Sequence, residues 1–180
     1  MGTPASGVYT VDPSRSTITF TTKHMFGLGT VVGAFAVHTA LITVAGEDAT
    51  VEAVIDAASV KTDQQRRDDH VRSKAFLHTE EHPTMDFVSD SVRRTEDGWL
   101  VGGVLTVRGQ GNRAEFLVHE VDERDGELTA RATATIDRYA HGVTAMKGMA
   151  GRRLALVFDI TAVASDRDTG RTTATQQARG

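Results

Sequence analysis

Three histidines, His70, His78 and His82, with Glu80 and Glu81 between the last two, come nearest to a reactive or metal-binding set in this 180-residue chain. Imidazoles four residues apart share a helix face and offer nitrogen ligands to a transition metal. The H-E-x-x-H arrangement that supplies a zinc site with a general base is absent. Pro83, which lacks an amide hydrogen and holds the residue before it extended, stops any helix at His82. No metal site is assigned on these residues. Asp68 and Asp69 are adjacent, so on a helix they point in different directions and make a poor acid–base pair. No G-x-S-x-G elbow occurs, and with no cysteine both thiolate chemistry and disulfides are excluded. The residues therefore point to a protein that is not an enzyme. A second set suits ligand recognition. Should the fold enclose an apolar site, His24, beside Met25 and Phe26 in a glycine-bearing loop, and Arg67 with His70 would be the polar groups to orient a ligand's head group at its mouth. The alternative for Arg67 is a pairing with Asp68 that holds the local connection, and for Arg108 an ion pair at a rim.

The elements that must position these groups are mostly strands. Arg66 to Ser89 begins with a short helical stretch, for which Thr62 or Asp63 is the expected cap; beyond Pro83 the alternation of Met85 and Phe87 with Asp86 and Val88 starts a strand. Elsewhere apolar and polar residues alternate. Tyr9 to Val11 and Thr17 to Thr22 flank the turn Asp12-Pro13-Ser14. Val31 to Val37 is interrupted by Gly33, where a bend is expected, and Leu41 to Val44 and Thr50 to Ile55 flank a turn containing Gly46. Trp99 to Val107 holds Gly102 and Gly103, a second expected bend, and Ala114 to Val121 follows. Leu128 to Ile136 and Leu154 to Ala162 have the cleanest period-two patterns. Many short strands and one short helix imply an all-β sandwich or a closed barrel.

Several motifs carry a resemblance. Arg67-Asp68-x-His70-Val71-x-Ser73-x-x-Phe76 is followed by His82-Pro83-x-x-Asp86-Phe87-x-Ser89. Tyr9-x-Val11-Asp12, Ser16-x-Ile18-x-Phe20-x-x-x-His24 and Val32-Gly33-x-Phe35 precede them, and Gly103-x-Leu105-Thr106-x-Arg108-Gly109 comes later. Over Tyr9 to about Ala164 the chain resembles the YceI-like family of lipid-binding proteins. The resemblance implies an extended, eight-stranded antiparallel β-barrel of lipocalin-like type with one short helix, and related proteins are often homodimers. It covers the barrel domain (9–164); the small, polar residues before it read as a flexible lead (1–8), and 165–180, with no periodicity and almost no large apolar residue, as a disordered tail. The chain departs from the family pattern at Arg15, at Val37-His38-Thr39-Ala40 and at Arg138-Tyr139-Ala140-His141-Gly142, where histidine replaces phenylalanine. These departures bear on the ligand more than on the fold.

An eight-stranded barrel either holds one small ligand or is filled by side chains. Ala130, Ala132 and Ala134 are small, inward-facing candidates in one strand and would leave space along the axis, unless they face bulky neighbours. The expected tunnel lining adds Ile18 and Phe20, Val51 and Ile55, Phe76, Met85 and Phe87, Leu105 and Phe116, and Leu156 and Phe158; the alternative is that they form a filled core. The implied function is to bind, sequester or carry a polyisoprenoid or other long-chain amphiphile. The expected partner is thus a long-chain apolar small molecule, an isoprenoid or isoprenoid quinone serving as ligand, with no cofactor required. A filled-barrel structural or interaction module is the alternative, and an enzyme acting on a small apolar substrate in the cavity the lesser one. A net charge of −4 with no basic stripe speaks against nucleic acid. No apolar run approaches the ~20 residues of a membrane span, and no secretory leader is recognisable at the start, so a cytoplasmic location is the default.

Overall fold

The computed structural model describes residues 3–165. The expected tail therefore lies, from residue 166, outside the described residues. The strands are β1 (Gly7–Val11), β2 (Thr17–His24), β3 (Gly29–Ala45), β4 (Asp48–Lys61), β5 (Thr84–Thr95), β6 (Gly98–Val107), β7 (Gln110–Arg124), β8 (Glu127–Asp137) and β9 (Ala150–Ala164), with one helix, α1 (Gln65–Arg72). All pair antiparallel in a meander from β2 to β9, and β2 then pairs with β9 to close the ring. β1 occupies the same gap between β3 and β9 as β2, so the nine strands make the eight staves of a closed barrel.

Pro13 breaks that shared stave into two. Asp12 Oδ1 accepts bonds from the Ser14 amide (2.9 Å) and hydroxyl (2.6 Å), forming a 3-10 turn over Pro13–Arg15. The sheet is repaired by Ser16, whose buried hydroxyl accepts from the Thr161 amide (3.0 Å) and donates to the Thr161 carbonyl (3.2 Å). A side chain thus replaces ladder bonds that the turn removes.

Facing strands match large residues to small ones. Ala130, Ala132 and Ala134 on β8 pair with Ile160, Phe158 and Leu156 on β9, so the bulky side chains of one strand lean over the methyls of the next. Gly103 on β6 is required first by the β5 backbone, since a Cβ there would press on the Val88 carbonyl and lie 2.7 Å from Ser89 Cα, and it also leaves room for the Phe87 ring, whose Cζ would be at 2.8 Å. The bend expected at Gly102 and Gly103 coincides with a register shift on the opposing β5, between Ser89 and Ser91. Gly33 differs from expectation. It pairs with Phe20, whose ring occupies the place of the missing side chain, while the β3 irregularities fall later, at Ala34/Ala36 and Val37/Thr39. The second shift also explains why β3 is one strand of 17 residues where two were expected.

The expected caps of α1 are also corrected. Its N-cap is Gln64, with no side-chain cap bond. The Thr62 amide and hydroxyl instead donate to Asp68 Oδ1 at 2.8 and 2.6 Å, so the buried Asp68 carboxylate ties the helix to the end of β4. At one pole the barrel is sealed by Tyr9, Val11, Val44, Leu128 and Ala162, all buried. At the other pole gather the β2–β3, β4–β5 and β8–β9 connections. Among the described residues no helix is long and apolar enough to cross a membrane.

Candidate functional site

The barrel encloses a cavity of about 590 Å³, within the range of about 300–1,000 Å³ usual for ligand pockets. Nearly every stave contributes to its wall. Of the expected lining, Ile18 and Phe20 (β2), Val51 and Ile55 (β4), Met85 and Phe87 (β5), Leu105 (β6), Phe116 (β7), Ala130 and Ala132 (β8), and Leu156 and Phe158 (β9) all border it, as does Phe76 from the segment after α1. Ala134 does not. Its methyl sits beside Leu156, whose longer side chain borders the space in its place.

Phe87, Phe116 and Phe158 form a chain of edge-to-face rings, with centroids 4.6 and 5.1 Å apart, the arrangement that aromatic quadrupoles favour. These rings come from alternate strands and meet over the small residues Gly103 and Ala132 between them. Val51, Val101 and Val118 also border the cavity, as do Phe20 and Phe35, whose rings stand 5.4 Å apart.

Lys23, His24, Gln64, Arg66, Arg67 and His70 border the cavity on the side of the gathered connections and form its mouth. His24 lies at the end of β2 with its ring over Gly29. His70, exposed, sets its ring against Phe76 at 5.0 Å. Arg67 is half-buried, and its side chain makes no hydrogen bond or ion pair among the described residues; Asp68 is engaged by Thr62 instead. The expected head-group residues therefore lie together, and the Arg67–Asp68 pairing does not form. Among the described residues no aspartate or glutamate borders the cavity, although the whole chain carries a net charge of −4.

Among the bordering residues that lay outside the expected site, two basic ones are buried. Arg138, buried at the end of β8, donates to the carbonyls of Gly151 (2.7 Å), Val143 (2.7 Å), Ala145 (2.8 Å) and Ala150 (2.9 Å). Its guanidinium also lies over Phe76 and Tyr139, at 5.5 and 4.9 Å. Burial draws its pKa below the ordinary arginine value. His141, also buried, sets Nδ1 3.3 Å from the Gln110 carbonyl. The exchange of phenylalanine for histidine at this position thus lies at the cavity wall; the Arg138-x-x-His141-Gly142 run was the sequence signal. Arg108 forms no ion pair among the described residues.

The histidines weighed for a metal are divided. His78, Glu81 and His82 approach one another, with one ligand atom from each within 4.8 Å of the others. Glu81 Oε2 lies 3.1 Å from His78 Nδ1 and 4.0 Å from His82 Nε2. These three could share a cation, but they lie in the α1–β5 connection away from the cavity, and His70 stands apart at the mouth. Asp68 and Asp69 are directed to different partners, Thr62 and the Gln65–Arg72 pair.

The same barrel fold recurs among known proteins. A family model described as a YceI-like domain matches residues 9–162. The chain belongs to the YceI-like family. Among curated YceI-like relatives, a UPF0312 protein of Pectobacterium atrosepticum is 29% identical over 118 residues, which cover 63% of this chain and 62% of that protein. A UPF0312 protein of Yersinia enterocolitica is 41% identical over 59 residues, 33% of this chain and 31% of that protein. The chain thus spans less than two thirds of the length of these relatives. BcnA of Burkholderia cenocepacia shares the YceI-like barrel with a TM-score of 0.75 at 20% identity, over 85% of this chain and 99% of that one. A polyisoprenoid binding domain from Saccharophagus degradans, implicated in plant cell wall breakdown, has a TM-score of 0.67 at 15% identity, over 87% and 98% of the two chains. At such identities these neighbours establish the fold.

Proposed function

We propose that this YceI-like protein binds and carries a long-chain amphiphile of the polyisoprenoid class, with the chain in the barrel and the polar end among His24, Arg66, Arg67 and His70. The observation that carries this reading is the apolar cavity of about 590 Å³ whose mouth holds cations and histidines and, among the described residues, no acid. Each methylene withdrawn from water contributes ~0.8 kcal/mol, so burial alone supplies affinity. The free guanidinium of Arg67 then favours an anionic or electron-rich head, such as a prenyl phosphate or a quinone carbonyl. The polyisoprenoid-binding description of the Saccharophagus neighbour supports the ligand class. Nothing in this role needs a catalytic group or a cofactor.

Native mass spectrometry of the purified protein, followed by organic extraction and by addition of a prenyl phosphate or prenyl quinone, tests the proposal. A stoichiometric long-chain adduct is expected. Ala132, which borders the cavity opposite Phe158, supplies the control: Ala132→Phe projects a ring into the space. Displacing about two methylenes costs ~1.6 kcal/mol, more than tenfold in affinity. The variant should keep its far-ultraviolet circular dichroism and lose the adduct. A wild-type protein that takes up neither compound would overturn the reading.

A further inference from the structure

Around the mouth lies an exposed apolar surface that borders the cavity through Met25, Met146 and Met149 and extends beyond it to Phe26 and Leu28. The β2–β3 connection, Met25-Phe26-Gly27-Leu28, is bonded to the β8–β9 connection: the Met25 amide donates to the Met149 carbonyl (2.8 Å) and the Phe26 amide to the Gly148 carbonyl (3.0 Å). Gly148, at φ +81°, lies against the Phe26 ring. From this joined rim Leu28 is 89% exposed and Phe26 78%, with Met25, Met146 and Met149 also exposed. Elsewhere exposed apolar residues are fewer together: Val32 lies on β3, and Val88 and Val104 form one cross-strand pair on β5 and β6, as is ordinary for a protein surface. Here five large apolar side chains are clustered. Met25, Phe26 and Met146 have φ of 50°, 57° and 51°, a region that non-glycine residues rarely occupy, so the backbone is held in an unfavourable form while presenting oil to solvent.

The charges beside this patch have one sign. Lys23, Arg66 and Arg67 border the mouth and exposed Lys147 stands between Met146 and Met149. No aspartate or glutamate occurs from Lys23 to Ala45 or from Arg138 to Phe158. Acids of the adjoining segments are engaged: Asp63 faces Lys61, Asp69 faces Arg72 and Asp137 holds Arg152. Clustered, exposed apolar groups mark an interaction surface. Apolar side chains set among lysine and arginine match a bilayer interface with anionic head groups, into which the first insert and toward which the second are drawn.

We infer that the Met25–Leu28 and Met146–Met149 rim docks the open pole of the barrel onto an anionic lipid bilayer. Cavity and bilayer interior would then adjoin, and a long chain could pass between them without crossing water. The inference goes beyond the carrier reading and does not depend on anything occupying the cavity, because vesicle association is measured independently of uptake.

The test is flotation of the full chain with vesicles of phosphatidylcholine alone and of phosphatidylcholine mixed with phosphatidylglycerol, at low and high salt, beside the double variant Phe26→Asp/Leu28→Asp. Both side chains are exposed, so the variant should keep the wild-type melting temperature. Wild type should float with the mixed vesicles, bind neutral ones more weakly and be released by salt; the variant should lose roughly tenfold or more in vesicle affinity. Equal binding by the folded variant would overturn the inference, as would failure of wild type to bind mixed vesicles. Wild-type dimers that the variant abolishes, with no vesicle binding, would assign the rim to a second copy and overturn it as well.

Discussion

Single side chains hold this barrel together where the Pro13 turn interrupts a stave. Ser16 satisfies both the amide and the carbonyl of Thr161 beside the Pro13 turn, in a buried position. Ser16→Ala should therefore leave a buried amide unsatisfied and destabilise the fold by about 1–3 kcal/mol, read as a lower urea midpoint with an unchanged slope; an unchanged midpoint would mean that Thr161 finds another partner. The Asp68–Thr62 bonds are of the same kind. Both were hidden in the sequence, where Ser16 is one residue of a motif and Asp68 reads as half of an ion pair, since the partner of a short polar side chain depends on folding that places it. Apolar lining residues were far more legible. Alternation fixed their side of the strand, and only Ala134, overshadowed by Leu156, failed to reach the cavity.

At the scale of elements, what alternation revealed and what it concealed have one cause. The period of two was unbroken in β8 and β9 and marked their inward faces directly. In β3 the register shift between Val37 and Thr39 inserts His38 as an extra residue, so Val37 and Ala40 are both buried although three positions apart. A strand that changes parity reads as two. The β8–β9 connection had no periodicity to read, and its order rests on Arg138, which gathers four carbonyls from Val143 to Gly151. Arg138→Met removes these bonds while keeping an apolar stem. Amide exchange over residues 143–150 should accelerate by roughly tenfold or more, while exchange in β5 and β6 stays as in the wild type. Uniform acceleration would mean that Arg138 supports the whole barrel instead.

For the whole molecule, the exposed ion pairs link stability to acid. Glu127 is held below its ordinary pKa of 4.5 by Arg15, and Asp90 and Asp137 below 3.8 by Arg113 and Arg152; Asp12 is lowered by Ser14. A carboxyl whose folded pKa is depressed stabilises the fold above its unfolded value and loses that contribution as pH falls through the folded one. Urea midpoints should therefore be insensitive to these groups at neutral pH and decline below about pH 4.5, with Glu127→Gln making the decline shallower. A midpoint constant down to about pH 3 would show that the pairs contribute nothing measurable. The closed ring was expected from the family motifs, since strand patterns alone do not distinguish a barrel from a sandwich. The apolar, cationic rim was not, because it joins two connections more than a hundred residues apart.

The first and last strands lie side by side: Tyr9 pairs with Ala164, Gly7 with Val44, and Ser6 caps the Gly46 turn at the sealed pole. Anything joined to either end of the barrel, whether a tether, a fusion partner or a solid support, is attached at the base of the cup. Held by that base, the protein presents its opening away from its anchor, as a probe facing whatever surface lies opposite.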